Sequence, residues 1–365
     1  MRIVIVGGGI VGAALAAQLL GRAEVVLLEV ETQPGLGATS KATGGLRHQF
    51  SSPALVQLSL LSIPVYRAMP EAGFRQHGYL FVTADGKRLA AMREAVAMQQ
   101  GLGVPARLLA PGEIAALVPG IRTDDLIGGT FCPWDGSANP TDALGAFLRR
   151  GVDIRLGCRV EGLLSGGGVR TTSGDIPADA VVVASGAWAR DLLAAAGVDI
   201  PVGAYRRQVF VMTPPAGFPT GIPMTIDQDT GWYVHPERSG LLLFGGTDRD
   251  DRPGMEEVVD WDGLPRVLEA GTHRVPALSE AALVRGYAGV RALTPDDLPI
   301  VGPVPGRPGL WLSVGWGGHG FMHAPGGARV LADLLLRGTT DLLDASALSL
   351  ERFSDPHRKG EQTAF

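Results

Sequence analysis

Three glycines near the N-terminus have the spacing of a dinucleotide-binding turn. They are Gly7, Gly9 and Gly12, and they follow a short apolar run, Arg2 to Val6, whose Val and Ile content is typical of a buried strand. In such a turn the first glycine permits a tight bend, the second lets backbone amides approach a pyrophosphate, and the third lets the helix pack closely on the strand. The N-terminus of that helix offers free N–H groups and partial positive charge to phosphates.

An acid ends the next predicted strand, Glu24 to Glu29. A carboxylate at Glu29, seventeen residues after Gly12, would accept hydrogen bonds from both ribose hydroxyls, and its charge would repel a 2′-phosphate. Strand, glycine turn, helix, strand and acid therefore occur in the order of a dinucleotide-binding unit. This order favours a dinucleotide site over an ordinary glycine turn, but it does not separate FAD from NAD.

Composition limits the remaining classes of function. The chain has 365 residues, enough for two domains or one large one, and its 45% hydrophobic and 19% charged residues are typical of a soluble protein. A net charge of −5 argues against a nucleic-acid surface, and two cysteines outside any paired metal-ligand spacing predict neither a disulfide framework nor a metal site. With a strand starting at Arg2 and no apolar run of about twenty residues, we expect a cytoplasmic protein without a membrane span.

Two further stretches suit a ligand that approaches the backbone closely. The loop from Gly37 to Gly45 is too small and polar for a core, and its hydroxyls and flexible backbone suit phosphate or a flat ring. A second apolar run, Ala180 to Trp188, predicts another buried strand, and it ends in the small residues Ser185 and Gly186. Ligands of open α/β sheets bind at such strand ends.

The pattern changes in the second half of the chain. From Tyr205 to Asp248 short strands alternate, which predicts an antiparallel sheet, and the first style returns near Ile300. The predicted fold is therefore α/β plus α+β, with a Rossmann-like domain interleaved with a domain built on a mixed, largely antiparallel sheet. We assign residues 1–77, 140–200 and 286–365 to the first domain, and residues 78–139 and 201–285 to the second, substrate-binding domain.

Five motifs in order give the chain a wider resemblance. They are the unit from Gly7 to Glu29, Gly44 to Phe50, Val183 to Trp188, Thr294 to Gly302 and Gly318 to Met322. Together they resemble the D-amino acid oxidase-like flavoprotein family, in the branch of glycine oxidase, sarcosine oxidase and the β subunits of sarcosine oxidase and L-proline dehydrogenase. The resemblance implies FAD, held extended across the first domain with its isoalloxazine ring facing the sheet of the second.

The resemblance and the turn chemistry together define a predicted FAD site. Its residues are Gly7, Gly9, Ile10, Val11, Gly12, Glu29, Thr39, Ser40, Lys41, Gly44, Gly45, Val160, Ser185, Gly186, Trp188, Arg291, Gly317, Gly318, His319, Gly320, Phe321 and Met322. The turn from Gly317 to Gly320 opens a helix, so its amides and dipole are expected to face the pyrimidine edge of the flavin, where negative charge accumulates on reduction.

The reaction implied by the resemblance is oxidation of a carbon that bears an amine. Hydride passes from the substrate Cα to the flavin, and the imine hydrolyses in water. Arg291 matches the arginine that pairs with the substrate carboxylate in the glycine oxidase branch, and Tyr233 matches the tyrosine that shares this task. Arg47 matches a carboxylate-contacting arginine of monomeric sarcosine oxidase and is a second candidate for the role. His48 and His235 are expected as polar linings.

Departures from the family pattern also carry predictions. The segment Tyr287 to Val290 lacks the cysteine that bonds covalently to flavin in sarcosine oxidases, so FAD is expected to be non-covalent. The strand from Leu241 to Gly245 lacks the lysine that activates oxygen, and Met322 stands where the same branch has a substrate-contacting lysine. Without positive charge at these places superoxide loses a stabiliser, so a dehydrogenase using another acceptor is at least as well supported as an oxidase.

Two alternatives remain open at the level of sequence. A 2-hydroxy acid dehydrogenase, of the type that acts on hydroxyglutarate, needs the same carboxylate anchor and also a base, for which His48 or His235 would have to serve. The chain is alternatively a flavin-bearing subunit of a heteromeric dehydrogenase. The expected partners are a small anionic amino acid or amine as substrate, oxygen or another carrier as electron acceptor, and a possible partner subunit, without nucleic acid.

Overall fold

Eight helices and twenty strands are found in the computed structural model, which describes residues 1–246, 253–355, 357 and 360–361. The helices are α1 Ile10–Leu19, α2 Pro53–Arg67, α3 Gly86–Gly101, α4 Pro111–Leu117, α5 Pro140–Leu148, α6 Ala189–Ala195, α7 Leu264–Arg274 and α8 Gly320–Arg337. The strands are β1 Arg2–Val6, β2 Glu24–Leu28, β3 Gly45–Leu46, β4 Arg75–Gln76, β5 Tyr79–Thr83, β6 Arg107–Leu109, β7 Gly128–Cys132, β8 Gly136–Ser137, β9 Ile154–Arg155, β10 Val160–Leu163, β11 Gly168–Thr171, β12 Gly174–Pro177, β13 Ala180–Val183, β14 Gly203–Thr213, β15 Met224–Asp227, β16 Tyr233–Pro236, β17 Leu242–Gly245, β18 Ala282–Leu293, β19 Ile300–Pro303 and β20 Leu310–Val314.

The first large sheet has six strands in the order β19-β20-β13-β1-β2-β9. β1 pairs in parallel with β13 on one side and β2 on the other, and only β19 runs antiparallel to its neighbour. Side chains of β1 enter two different cores: Ile3 and Ile5 pack in one, Val4 and Val6 in the other. A strand covered on both faces needs a continuous apolar sequence, which explains the composition of β1.

The second large sheet has eight strands in the order β18-β14-β17-β16-β15-β5-β7-β6. All of its pairings are antiparallel except that of β15 with β5. One face packs on a core that includes Leu80, Phe210, Trp232 and Phe244. Two three-stranded sheets, β10-β11-β12 and β3-β8-β4, complete the fold. A mostly parallel sheet with helices beside a mixed, largely antiparallel sheet confirms the predicted fold class.

The longest strand pairing was only partly predicted. β14 and β18 pair along their whole lengths, whereas the apolar pattern indicated a strand only at residues 208–212. Alternation is weak in β18 because residues 282–285 are exposed and two glycines, Gly286 and Gly289, interrupt it. Pairing with β14, rather than an alternating sequence pattern, therefore determines that this segment is a strand.

The position of β18 bears on the domain boundaries. A boundary at residue 286 would divide a strand that belongs to the second sheet, and we propose that the second domain continues to Leu293. The other boundaries remain predictions, and Asp248 together with parts of 201–285 and 286–365 lies outside the described residues. Among the described residues, no helix combines the length and apolar composition that crossing a membrane requires.

Candidate active site

A cavity of about 730 Å³ is lined by residues of both large sheets. On one side it borders the turn after β1 and the end of β2, and on the other it borders β14, β16 and β18. The start of α8 also borders it, at Gly320. Ligand pockets of this size at the C-terminal ends of parallel strands are the usual sites of small molecules in such folds.

The glycine turn is shaped by close backbone contacts. Gly7 has φ of 116°, and a Cβ there would lie 2.6 Å from the carbonyl oxygen of Ala184 in β13's extension. A Cβ on Gly12 would lie 2.1 Å from the carbonyl oxygen of Gly7, so α1 packs on β1 only because this residue lacks a side chain. No acid occupies the first turn of α1, where the Ile10 amide donates to Thr39 Oγ1 at 3.0 Å, and the partial positive charge of this helix N-terminus can stabilise an anion in the cavity.

Glu29 is fixed beside that turn by backbone amides. Its Oε2 accepts a hydrogen bond of 2.8 Å from the amide of Gly8, and its Oε1 accepts one of 3.0 Å from Glu31. A Cβ on Gly8 would lie 2.8 Å from that Oε2. Gly8 therefore holds the acid in place, a role that the spacing of the other three glycines did not reveal. The strand itself ends at Leu28, one residue earlier than predicted.

Several buried polar atoms along the cavity have no partner within the described protein. They are the Ser185 hydroxyl and both ring nitrogens of His319. His319 precedes α8, which has no acid in its first turn, so a second helix N-terminus faces the cavity. Two helix N-termini, a carboxylate and unpartnered polar atoms along one elongated space fit a dinucleotide that carries a polar ring system, as FAD does.

Most of the residues predicted to bind the cofactor line this cavity. They are Gly7, Gly9, Ile10, Val11, Glu29, Thr39, Lys41, Gly44, Gly45, Val160, Ser185, Gly186, Trp188, Arg291, Gly317, Gly318, His319, Gly320, Phe321 and Met322. Two predicted residues do not line it. Gly12 lies behind the turn, and Ser40 turns its hydroxyl to the carbonyl oxygens of Leu36 and Gly37, both at 3.4 Å.

Arg47, Tyr233 and Arg291 lie together with Tyr79 at the other end of the cavity. Arg47 is buried, donates from Nη1 to the carbonyl oxygen of Gln49 at 3.0 Å, and stacks over Phe50 with its Cζ 4.1 Å from the ring centre. Burial lowers the pKa of Arg47, and the nearby carboxylate of Glu361 opposes that shift. Arginine remains charged in proteins, so a cation is present at this end.

Two tyrosines share the face of the sheet that borders this end. Tyr79 and Tyr233 are both buried, and burial raises the pKa of each phenol, so both keep their protons and can donate hydrogen bonds. Each phenol lies across a glycine: Gly45 faces the Tyr79 hydroxyl and Gly245 faces the Tyr233 hydroxyl, and a Cβ at either would overlap it. Tyr79 was not among the predicted site residues, although it lies on an apolar strand and shares one face of it with Phe81.

His48 and His235 lie outside the cavity lining. The Nδ1 of His48 contacts Asp135 Oδ1 at 2.8 Å, and its backbone amide donates to the same oxygen. His235 lies 5.8 Å from His77 between ring centres, and burial lowers the pKa of His235 to about 3. His48 follows the end of β3, and His235 shares a face of β16 with Tyr233 but lies two residues further along it, beyond the cavity lining.

His48, Asp135 and Cys132 form a buried cluster whose ligand atoms lie within 4.8 Å of one another. Asp135 already accepts from His48 and from Gln49 Nε2 at 3.0 Å. Burial raises the pKa of the Cys132 thiol, and a protonated thiol is a poor metal ligand. The contacts are those of a hydrogen-bonded core cluster.

Comparison with known proteins decides the family. The model of the family of FAD dependent oxidoreductases, DAO, matches residues 2–334. The chain belongs to this family. The predicted resemblance is thereby confirmed, and so are FAD as the cofactor and an oxidoreductase activity on CH–NH donors.

Individual relatives agree with this assignment. The chain is 29% identical to glycine oxidase of Geobacillus kaustophilus (strain HTA426), over 96% of each protein. The solved structure of L-proline dehydrogenase from P. horikoshii superposes with a TM-score of 0.90 at 30% identity and covers 97% of each chain. Dimethylglycine dehydrogenase of Rattus norvegicus is 28% identical, and the match spans 99% of this chain but only 45% of that protein. All three relatives are named as oxidases or dehydrogenases of an amino acid or an N-methylated amino acid.

Proposed function

We propose that this DAO-family chain oxidises a small amino acid or secondary amine, of the glycine, sarcosine, proline or D-amino acid type, to an imine that hydrolyses. The observation that supports this most directly is the presence of Arg291 and Tyr233 on the wall of the cavity that also contains the glycine turns. FAD, when bound, supplies the hydride acceptor. The chain's own residues have to bind the substrate, orient it and exclude water.

Arg291 is proposed to hold the substrate carboxylate. Its guanidinium presents parallel N–H donors that match a carboxylate, and a protonated Tyr233 adds an O–H donor. Arg47 is proposed to contribute as a second cation on the cavity wall, where its stacking on Phe50 fixes the guanidinium plane. A substrate fixed at its carboxylate by planar groups has its Cα held in one orientation.

The same cations favour the reactive form of the substrate amine. Two guanidinium groups, Arg47 and Arg291, border a space where the phenols of Tyr79 and Tyr233 remain neutral. Positive charge and burial both disfavour an ammonium ion, so the pKa of the bound amine is expected to be lowered. Burial also lowers the pKa of His319, which stays neutral and can accept or donate a hydrogen bond at the cavity wall.

The FAD is proposed to be held without a covalent bond. Cys158 borders the cavity, but its amide bonds the carbonyl oxygen of Glu29 at 2.8 Å, which places it at the ribose end. Tyr287 to Val290 provide no thiol at the other end. Denaturation in acid should therefore release all of the flavin into solution.

A 2-hydroxy acid substrate is less well supported. That reaction needs a base for the hydroxyl proton, and neither His48 nor His235 borders the cavity.

Among the described lining residues, the only lysine is Lys41, whose ammonium bonds Glu257. We therefore propose slow reoxidation by oxygen and an electron acceptor of another kind.

The test is anaerobic mixing of the yellow protein with glycine, sarcosine, L-proline, hydroxyproline, D-amino acids and 2-hydroxyglutarate. Bleaching of the flavin band by an amine but not by the hydroxy acid supports the proposal. Failure of every amine to bleach the flavin contradicts it. Reoxidation with air-saturated buffer, compared with an artificial dye acceptor, separates an oxidase from a dehydrogenase. A partner subunit would co-purify with the chain from its native cells.

A further inference from the structure

Arg207 borders the main cavity, although no motif in the sequence singles it out. It lies on β14, where the strand register places it opposite Gly289 of β18, while Arg291 lies opposite Tyr205. Residues two positions apart on a strand share one face of the sheet. The side chains of Arg207 and Arg291 therefore leave the same face, one diagonal step apart, and both reach the cavity wall.

Gly289 makes room beside this pair. A Cβ on Gly289 would lie 3.0 Å from the Cβ of Lys41, so the stem of that lysine lies across the glycine. The Lys41 ammonium is paired with Glu257. The cationic heads that border this part of the cavity are consequently guanidinium groups, which suit planar anions.

Both arginines lie close enough to one carboxyl group, that of Asp297, to influence its pKa. Burial raises the pKa of Asp297, with further contributions from Glu361 and Asp296, and the positive charges of Arg207 and Arg291 oppose the shift. A shared effect on one group indicates that the two charges occupy the same region.

The first turn of α8 contributes no lysine or arginine to the cavity. Met322 borders the cavity in this turn and carries no charge. Positive charge for an anionic substrate therefore comes from the strands and loops that border the cavity, and Arg207 on β14 is one source of it.

We propose that Arg207 binds the substrate carboxylate together with Arg291, so that two guanidinium groups hold one anion. The inference rests on the proposed function. Arg207 also borders a smaller neighbouring cavity of about 450 Å³, which places it at the rim of the substrate space rather than beneath it. Its contribution is expected to appear in binding rather than in the chemical step.

The test compares Arg207→Met with Arg206→Met. Arg206 is the adjacent residue and leaves the opposite face of β14, where its Nη1 donates to Val258 at 3.1 Å and its Nη2 lies 3.7 Å from Asp260. A charge-assisted hydrogen bond contributes about 1.5–3 kcal/mol, so Arg207→Met should raise KM for the amino acid that bleaches the flavin by about 10- to 100-fold. kcat should change little, Arg206→Met should resemble the wild type, and Arg207→Lys should recover part of the loss.

Two further measurements separate binding from folding and from the proposed function. The amide of the same amino acid lacks the carboxylate, so its KM should be alike in both variants. The dissociation constant of pyrrole-2-carboxylate, read from the perturbed flavin spectrum, should rise about tenfold in Arg207→Met. Equal KM and equal dissociation constants in the Arg207 and Arg206 variants would overturn the inference. A wild type that no amine bleaches would overturn the proposed function instead, and the carboxylate titration would still decide the role of Arg207.

Discussion

Removal of the Arg291 guanidinium is expected to separate substrate binding from cofactor binding. Arg291→Met keeps the length of the side chain and removes the charge and the paired donors. A bidentate contact with a carboxylate in a buried site is worth about 3 kcal/mol, which corresponds to a loss of about 10²-fold in kcat/KM. The loss is expected mainly in KM because the carboxylate is bound equally in the ground state and the transition state.

The assay is anaerobic stopped-flow reduction of the flavin over a range of substrate concentrations, with Arg285→Met as the control. Arg285 lies on the same strand but is exposed, with its Cζ 5.2 Å from the ring centre of Tyr287. The control should behave as the wild type, and both variants should keep the full flavin content. An Arg291→Met protein that reduces its flavin with unchanged KM would refute the assignment of the carboxylate to this wall.

Three further predictions concern the cofactor and the stability of the fold. Gly8→Ala should displace the Glu29 carboxylate, since a Cβ would lie 2.8 Å from its Oε2, and should weaken FAD binding about tenfold in a fluorescence titration. Asp297→Gly should raise the Tm, because Asp297 has φ of 57° at a strain of about 1 kcal/mol. Burial raises the pKa of Asp297 in the folded state, so its charged carboxylate destabilises the fold fully above that pKa and not at all below 3.8. The gain in Tm from Asp297→Gly should therefore become smaller as the pH falls to 3.8. Glu361→Ala should lower the free energy of unfolding by about 1–3 kcal/mol in urea, whereas Glu351→Ala at an exposed position should not, because Glu361 accepts from Ser51 and Ser52 amides at 2.9 and 2.8 Å.

The parts of the site that the sequence predicted are those encoded over short distances. The turn from Gly7 to Gly12 and the acid at Glu29 lie within one strand, turn, helix and strand unit, so their spacing alone implies their contacts. The apolar and small residues from Ala13 to Leu20 predict a helix that starts at Ala13, whereas α1 begins at Ile10. The difference arises because Gly12 has a poor helix propensity, but glycine is required there since a Cβ would lie 2.1 Å from the carbonyl oxygen of Gly7.

The parts that the sequence could not predict depend on how distant strands pair. Tyr79 and Tyr233 come from β5 and β16, which share a face only because β15 lies between them. Arg207 meets Arg291 through the long ladder of β14 and β18, and that ladder was not visible because β18 lacks regular alternation. Residues that are adjacent in sequence can also separate, since Tyr233 at the start of β16 borders the cavity while Trp232 just before it packs against Phe244 in the core.

Helix α2 connects the C-terminal part of the chain to the substrate end of the cavity. The Glu361 carboxylate accepts hydrogen bonds from the amides of Ser51 and Ser52 at the N-terminus of α2. The side chain of Ser52, the N-cap residue of this helix, makes no capping bond itself. About two helical turns further on, the Ser59 hydroxyl donates to the carbonyl oxygen of Arg47 at 2.7 Å. The backbone that carries Arg47 is therefore held by a helix whose start is fixed by a carboxylate from the other end of the chain, a relation that only the fold establishes.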